Sequence, residues 1–422
     1  MADTGDFNAY WLFLVGLRYP QYPEHGGNVA IAAGHDVKFA KTDYFFTDWL
    51  ARIGGKVTID TAGTSNPPTY ELTTWGVLLD DLANQQGVAA MGGGNLAVTA
   101  GNDIANLYAT LPVTARQNGG GTRNQVEIVG GGNATVIAGR DILSPRIQVD
   151  KGELNLTAGR NITAATSNDL NAVLAIADTQ VNLHARGDII VDAIVNSTVL
   201  PLAAAQNNGG LLPSNYFFTY SDKASVTAQS LGGDVLLANR AKKVDTAFAA
   251  RYATDLFRSS SLRFFEIYPG TVRLQALQGD VKFANDMMLF PTAKGQLEVN
   301  AANNVASTGD ATASIVLSDA DVASLGTLAA PRTGQDVDAA LEAAMKQINP
   351  QHATQPVHRD DNTAAIIDAL NGDIAPQFAL PGTLRFQFTI NKSLLAHAGR
   401  DLINTDFYIQ HSRDSDISEL LA

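Results

Sequence analysis

The sequence predicts an all-β chain folded as a parallel β-solenoid, and three observations carry that expectation. First, one phrase recurs from end to end. GGNVAIAAGHDV (26–37), GGGNLAVTAGNDI (92–104), GGGNATVIAGRDI (130–142), KGELNLTAGRNI (151–162) and SLLAHAGRDLI (393–403) share the template apolar-x-apolar-x-Ala-Gly-x-Asp/Asn-apolar. Looser copies stand at 179–190, 224–237, 271–283, 295–305 and 369–374. Second, each copy alternates with period two, as in Leu96, Val98 and Ala100 against Ala97 and Thr99, the pattern of a half-buried strand. Third, the motif glycines step from 139 to 159 by 20, to 187 by 28, to 233 by 46 and to 279 by 46, one or two multiples of a unit of 20–28 residues. Such a unit holds two or three short strands and cannot close its own apolar face, so neighbours must stack to bury it. The helical patterns of a doubly wound or barrel fold are scarce across 92–305.

In chain order, 1–422 reads as a single solenoid with two interruptions. The stretch 1–90 is an irregular, aromatic-rich opening with the first coil, carrying Tyr44, Phe45, Phe46 and Trp49. Within it, 64–87 reads as a loop, a strand and a short helix. Its apolar run 10–16 is far short of the roughly 20 residues a spanning helix needs. The first eight residues hold Asp3 and Asp6 and no Lys or Arg, unlike a secretory signal.

The main coils occupy 91–330. Their corners are expected at Gly34 with Asp36, Gly101 with Asp103, Gly139 with Asp141, Gly159 with Asn161, Gly187 with Asp188, Gly279 with Asp280 and Gly399 with Asp401. Glycine there is expected to adopt positive φ, Asp or Asn to bond to the nearby backbone or to stack as a ladder, and the next apolar residue to re-enter the core. The small Ala before the glycine suits a tight corner.

A helical insertion is expected over 331–368. Val337, Leu341, Met345 and Ile348 fall at helical spacing after the start TGQD, and 363–370 reads as a second helix stopped by Asn371-Gly372. The terminal coils, 369–422, are expected to end mid-repeat: DSDISELLA stops where another corner is due, so the chain is expected to be an excised fragment.

The AGRDI-type repeats, with the longer phrases QQGVAAMGGGNLAVTAGNDI (85–104), VEIVGGGNATVIAGRDILSPRIQVDKGELNLTAGRNI (126–162) and FFTY (217–220) followed by SVTAQSLGGDV, resemble the filamentous-haemagglutinin-type large exoproteins of Gram-negative bacteria. The resemblance covers nearly the whole chain. It implies a right-handed parallel β-helix and secretion through an outer-membrane partner. It also implies a place on the cell surface or outside the cell, and adhesion to a host-cell or matrix receptor, a glycan or other bacteria. The signal and the secretion domain with Asn-Pro motifs that open such exoproteins are not seen here, so a partner for secretion would be engaged by upstream sequence.

Composition narrows the chemistry. The 422 residues include 37 Gly, no Cys, 29 Lys+Arg against 42 Asp+Glu and a formal charge of −13. The lack of Cys excludes disulfides, thiolate metal sites and a thiol nucleophile. The acidic balance argues against nucleic acid as a partner, the only basic cluster being Arg240 with Lys242 and Lys243.

Arg186-Gly187-Asp188 resembles an integrin-binding tripeptide and is the one weak binding candidate, but its place in the repeat reads as a structural corner. Asn404-Thr405-Asp406 echoes the first acidic motif of polygalacturonase-like hydrolases, without room downstream for the rest. Asp80-Asp81 and Asp360-Asp361 are adjacent carboxylates that read as caps or solvated turns, because neighbours on a strand point to opposite faces. The 7 His residues show no metal spacing. There is no G-x-S-x-G, no phosphate loop and no tandem calcium nonapeptide. The chain is therefore expected to be a non-catalytic structural or adhesive rod without cofactor, a β-helical lyase or glycoside hydrolase being the alternative.

Overall fold

The computed structural model describes residues 26–41, 50–58, 69–77, 87–90, 92–117, 126–197, 216–217, 219–240, 243–244, 266–308, 313–323, 325–328, 330, 332–333, 353–377 and 386–422. Strands dominate them, and most pair in parallel. Each repeat places one strand in a first ladder. This ladder runs through Val29–Ala33, Leu96–Ala100, Ala134–Ala138, 154–158, 181–185, Ser225–Ser230, Thr271–Ala276, Gln296–Ala301, Ala365–Ala369, Leu394–Ala398 and Glu419–Leu421.

After the corner, a second ladder runs from Val37–Lys38 through Ile104–Ala105, Ile142–Leu143, Ile162–Thr163 and 189–191. It continues through Val235–Leu237, Val281–Phe283 and Val305–Ser307 to Ile374–Pro376. A third set begins with Val88–Ala89, Tyr108–Leu111, 146–149 and 172–176 against 191–196. A five-stranded parallel sheet follows: Ile267–Tyr268, Met287–Leu289, Ala313–Leu317, Phe386–Ile390 and Thr405–Ile409.

Register follows the template. Val98 pairs with Val136, Val136 with Leu156 and Leu156 with Leu183, so equivalent positions stack. Leu96–Ala100 alternates buried and exposed along its length, and Leu96 and Val98 are at most 1 % exposed. Each fully buried Val or Leu contributes about 1.5–3 kcal/mol relative to exposure, and stacking repeats that contribution in every tier. Ala100, Ala138, Ala158 and Ala185 form a buried column just before the corner, as the tight turn requires. Toward higher residue numbers the interior is filled by rings: Phe386 lies 4.6 Å from Phe388, and Phe388 stacks 5.5 Å from Phe407.

Three findings correct the sequence reading. The segment 363–370 is not a second helix, since Ala365–Ala369 is a strand of the first ladder with Ala365, Ile367 and Ala369 inward. Its Ile-Ile-Asp-Ala stretch is too short to tell helix from strand by periodicity, and pairing with Leu394–Ala398 decides it. The expected helix over 337–348 and the short helix within 78–86 lie outside the described residues.

The second correction is an additional four-stranded antiparallel sheet, in the order Val126–Gly130, Val113–Gln117, Thr69–Val77, Leu50–Thr58. The strand expected within 64–87 belongs to it. Where it departs from the third ladder, the fully buried Asp150 accepts from Val113 N–H (2.9 Å) and from Gln148 Nε2 (2.8 Å).

The third concerns the glycines. Gly101, Gly139 and Gly159 are absent from the positive-φ residues; a Cβ on each would instead strike the carbonyl oxygen of the corner glycine one tier below. Close approach, not backbone sign, selects glycine there. Positive φ occurs ahead of the first-ladder strand at Gly131 and Gly132, and within the strand Arg146–Ala158 at Gly152.

Candidate functional site: the corner column and its groove

The conspicuous chemistry of the repeat is its corner. Asp36, Asp103, Asp141, Asn161, Asp188, Asp234, Asp280, Asn304, Asp373 and Asp401 fall in one column, because each immediately precedes the second-ladder strand or bridge. The backbone N–H of each donates to Oδ1 of the one before. The distances are 3.1 Å for Asp103 on Asp36, 3.2 Å for Asp141 on Asp103 and 3.0 Å for Asn161 on Asp141. The chain continues at 2.9 Å to Asp188 and to Asp234, 2.8 Å to Asp280, 2.9 Å to Asn304 and to Asp373, and 3.2 Å to Asp401. In the opposite sense each corner carbonyl accepts from the apolar residue one tier back, as Asn161 O does from Ile142 N–H at 2.8 Å. A corner residue with a side-chain oxygen thus satisfies backbone groups that the turn removes from the ladders.

Charge is compensated across tiers. Arg140 reaches Asp103 through Nη2 at 2.8 Å, Arg160 grips Asp141, and Arg400 reaches Asp373 at 2.5 Å. Donation from Arg160 holds the Asp141 carboxyl below its ordinary value, against the opposing effect of burial. Lys282 bridges Asp234 (2.5 Å) and Asp280 (2.9 Å). Burial pushes Asp280 up, but donation from Asn304 N–H and Lys282 outweighs it and leaves the carboxyl lowered. Lys38, by donating to Asp36, likewise keeps that carboxyl low.

Gly187 departs from its expected alignment. With Ile189 opposite Ile162, Asp188 does fall beside Asn161, but Gly187 falls beside Arg160 and Arg186 beside Gly159. Asp188 is a member of the column, donating to Asn161 and accepting from Asp234. Arg186 and Asp188 are both exposed, and among the described residues neither forms an ion pair. Arg186 instead borders a shallow groove of about 540 Å³ on the outer face, floored by Gly139 and Gly159 and lined by Thr157, His184 and Leu231. The groove exists because the glycine column ends there. Arg186 and then Leu231 replace glycine, and the bare corner becomes a step.

A second turn explains Asn404. With φ of 44° it is left-handed, like Asn106 at 54° and Asn239 at 43°, each just beyond a second-ladder strand or bridge. Asn tolerates that conformation, so the Asn404-Thr405-Asp406 phrase contains a structural corner. His35 and His397 are exposed beside first-ladder corners, facing Asn102 Nδ2 at 3.1 Å and Asp368 Oδ1 at 2.9 Å. Asp80 and Asp81 lie outside the described residues. Asp361 is not a solvated turn residue as expected. It is 6 % exposed, and its Oδ2 lies 2.9 Å from Nζ of the buried Lys392. Nothing local in Asn391-Lys392-Ser393 announces that pair, whose other partners lie in distant tiers.

Among the described residues, no group of three or more His, Asp or Glu is placed to hold a metal ion, and no helix is long and apolar enough to cross a membrane. No family model, curated protein or solved structure matches the chain.

Proposed function

We propose that this chain is a rigid, non-catalytic rod of a bacterial surface or secreted exoprotein of the filamentous-haemagglutinin kind, and that its tiers wind as a right-handed parallel β-helix. The observation that carries this reading is the corner column, which links every successive first-ladder corner from Asp36 to Asp401 by the same hydrogen bond. A module that repeats one bond along one axis is built for length and stiffness. Attachment to a host-cell or matrix receptor, a glycan or other bacteria then falls to segments that break the repeat, because recognition commonly sits on loops held by a rigid scaffold. The best candidates are the aromatic opening and the insertion over 331–361, which breaks the repeat before the strand Ala365–Ala369. Export would run through an outer-membrane partner.

The test is host-cell and glycan-array binding by the purified chain, with residues 334–352 deleted in parallel and polysaccharide cleavage followed on the same samples. Binding that disappears on deletion, without cleavage, is the expected result. Cleavage of any polysaccharide overturns the non-enzymatic reading, and binding that survives the deletion moves the adhesive site elsewhere on the rod. A solved structure of the chain tests the winding and its hand.

A further inference from the structure

Lys392 is almost entirely withdrawn from water. Its Nζ lies 2.9 Å from Asp361 Oδ2, 2.7 Å from the Gly295 carbonyl oxygen and 2.6 Å from Gln296 Oε1. The residues are 1 % exposed for Lys392, 6 % for Asp361 and 5 % for Gln296. The other carboxyl oxygen, Asp361 Oδ1, accepts from Thr363 N–H at 3.1 Å. Beside the pair, His358 is 1 % exposed and, among the described residues, neither ring nitrogen has a hydrogen-bond partner. Its ring edge packs on Gly295, where a Cβ would lie 3.2 Å from His358 Cε1. An amine, a carboxyl group and an imidazole thus share one buried site.

From this juxtaposition we propose that Lys392 and Asp361 join through an intramolecular amide. Lys392 Nζ bonds to Asp361 Cγ and the Cγ–Oδ2 bond breaks. Two of the ammonium protons leave with Oδ2 as one water and the third stays on the amide, so no oxidant, reductant or net proton is required. Thr363 N–H polarises the oxygen that is retained. His358, packed beside the pair, acts as a positioning residue.

Burial favours the uncharged amine; it also pushes the Asp361 carboxyl up, but donation from Lys392 and from Thr363 N–H outweighs it and holds that carboxyl below its ordinary value. Burial pulls the Lys392 amine below its ordinary value despite Asp361, and it pulls His358 down to about 4, an effect to which Lys392 adds. The Ala293 backbone is close enough to weigh against the His358 shift but does not complete a hydrogen bond. After reaction the amide N–H has the Gly295 carbonyl and Gln296 Oε1 at hand, and no buried charge is left behind.

The decisive measurement is the intact mass of the full chain under denaturing conditions, followed by a tryptic map. The expected result is a mass lower than the sequence mass by one water, no cleavage after Lys392, and a branched peptide joining the segments around 361 and 392. Asp361→Asn is expected to lose one ammonia instead of one water, Lys392→Arg to lose nothing, and His358→Ala to accumulate the unlinked form. An unmodified mass with cleavage after Lys392 overturns the proposal. So does loss of one water that maps anywhere other than to the 361–392 pair. The wild-type map decides the question even if a variant does not fold.

Discussion

Asp141 shows how much one side chain carries in this fold. Its Oδ1 accepts from Asn161 N–H at 3.0 Å and from Asn161 Nδ2 at 3.2 Å, while Arg160 closes over both oxygens. Asp141→Ala strands a backbone N–H at a corner where Asp141 itself is 5 % exposed, and should lower local stability by about 1–3 kcal/mol. Asp141→Asn keeps the Oδ1 acceptor, as Asn161 and Asn304 do in their own tiers. Amide hydrogen exchange at residue 161 should therefore quicken strongly in the alanine variant and little in the asparagine one.

His358 sets a pH response of definite sign. Its folded pKa, about 4, lies below its ordinary 6.5. Between those values the unfolded chain takes up a proton that the folded chain refuses, so stability falls as pH drops through that window, by on the order of 3 kcal/mol. Asp141, Asp280 and Asp36 are lowered carboxylates. Their stabilisation is present above the ordinary carboxyl value and is lost only on further acidification. The urea midpoint should drop between pH 7 and pH 5 in the wild type and stay nearly level in His358→Phe; an equal drop in both would remove His358 as the cause.

Among the elements, the first-ladder strands and their corners were legible because one phrase carries strand, corner and register together. Val98 over Val136 over Leu156 follows from aligning copies, with no knowledge of the fold. The reason for the corner glycines was not legible, because the atom that excludes a Cβ belongs to the next copy and not to the local turn. This leads to a paired prediction. Gly159→Ala drives a methyl group into the Gly139 carbonyl and should cost about 1–3 kcal/mol, whereas Gly34, with nothing described within 4 Å, should accept Ala within about 0.5 kcal/mol. Thermal melts of the two variants decide it, and equal losses would restore the backbone-sign explanation.

The antiparallel sheet was hidden for a different reason. Its strands 50–58, 69–77 and 113–117 carry no repeat phrase, so nothing in their sequence names a partner. Lys392 was hidden by distance: Asp361, Gln296 and Gly295 meet it only when separate tiers stack. For the strand Ala365–Ala369, Ile367 is fully buried, and Ile367→Ala should cost about 2–5 kcal/mol. A helix lying on the surface of the ladders would lose far less.

Across the whole molecule, a tier touches mainly its neighbours, so damage should remain local. Gly159→Val is expected to raise hydrogen exchange at 134–143 and 181–191 while leaving 296–307 protected, and denaturant unfolding followed by separate probes should not coincide. The corner column adds a direction to this arrangement. Every corner N–H points toward lower residue numbers and every accepting corner side chain toward higher ones, while each corner carbonyl accepts from the tier below. A completed tier therefore presents to the following one both a side-chain acceptor and a backbone donor, which the following tier meets with its own corner N–H and carbonyl. Order in such a stack grows as a zip closes, tier by tier from a seed, and a chain that emerges beginning with its low-numbered residues meets its template already made.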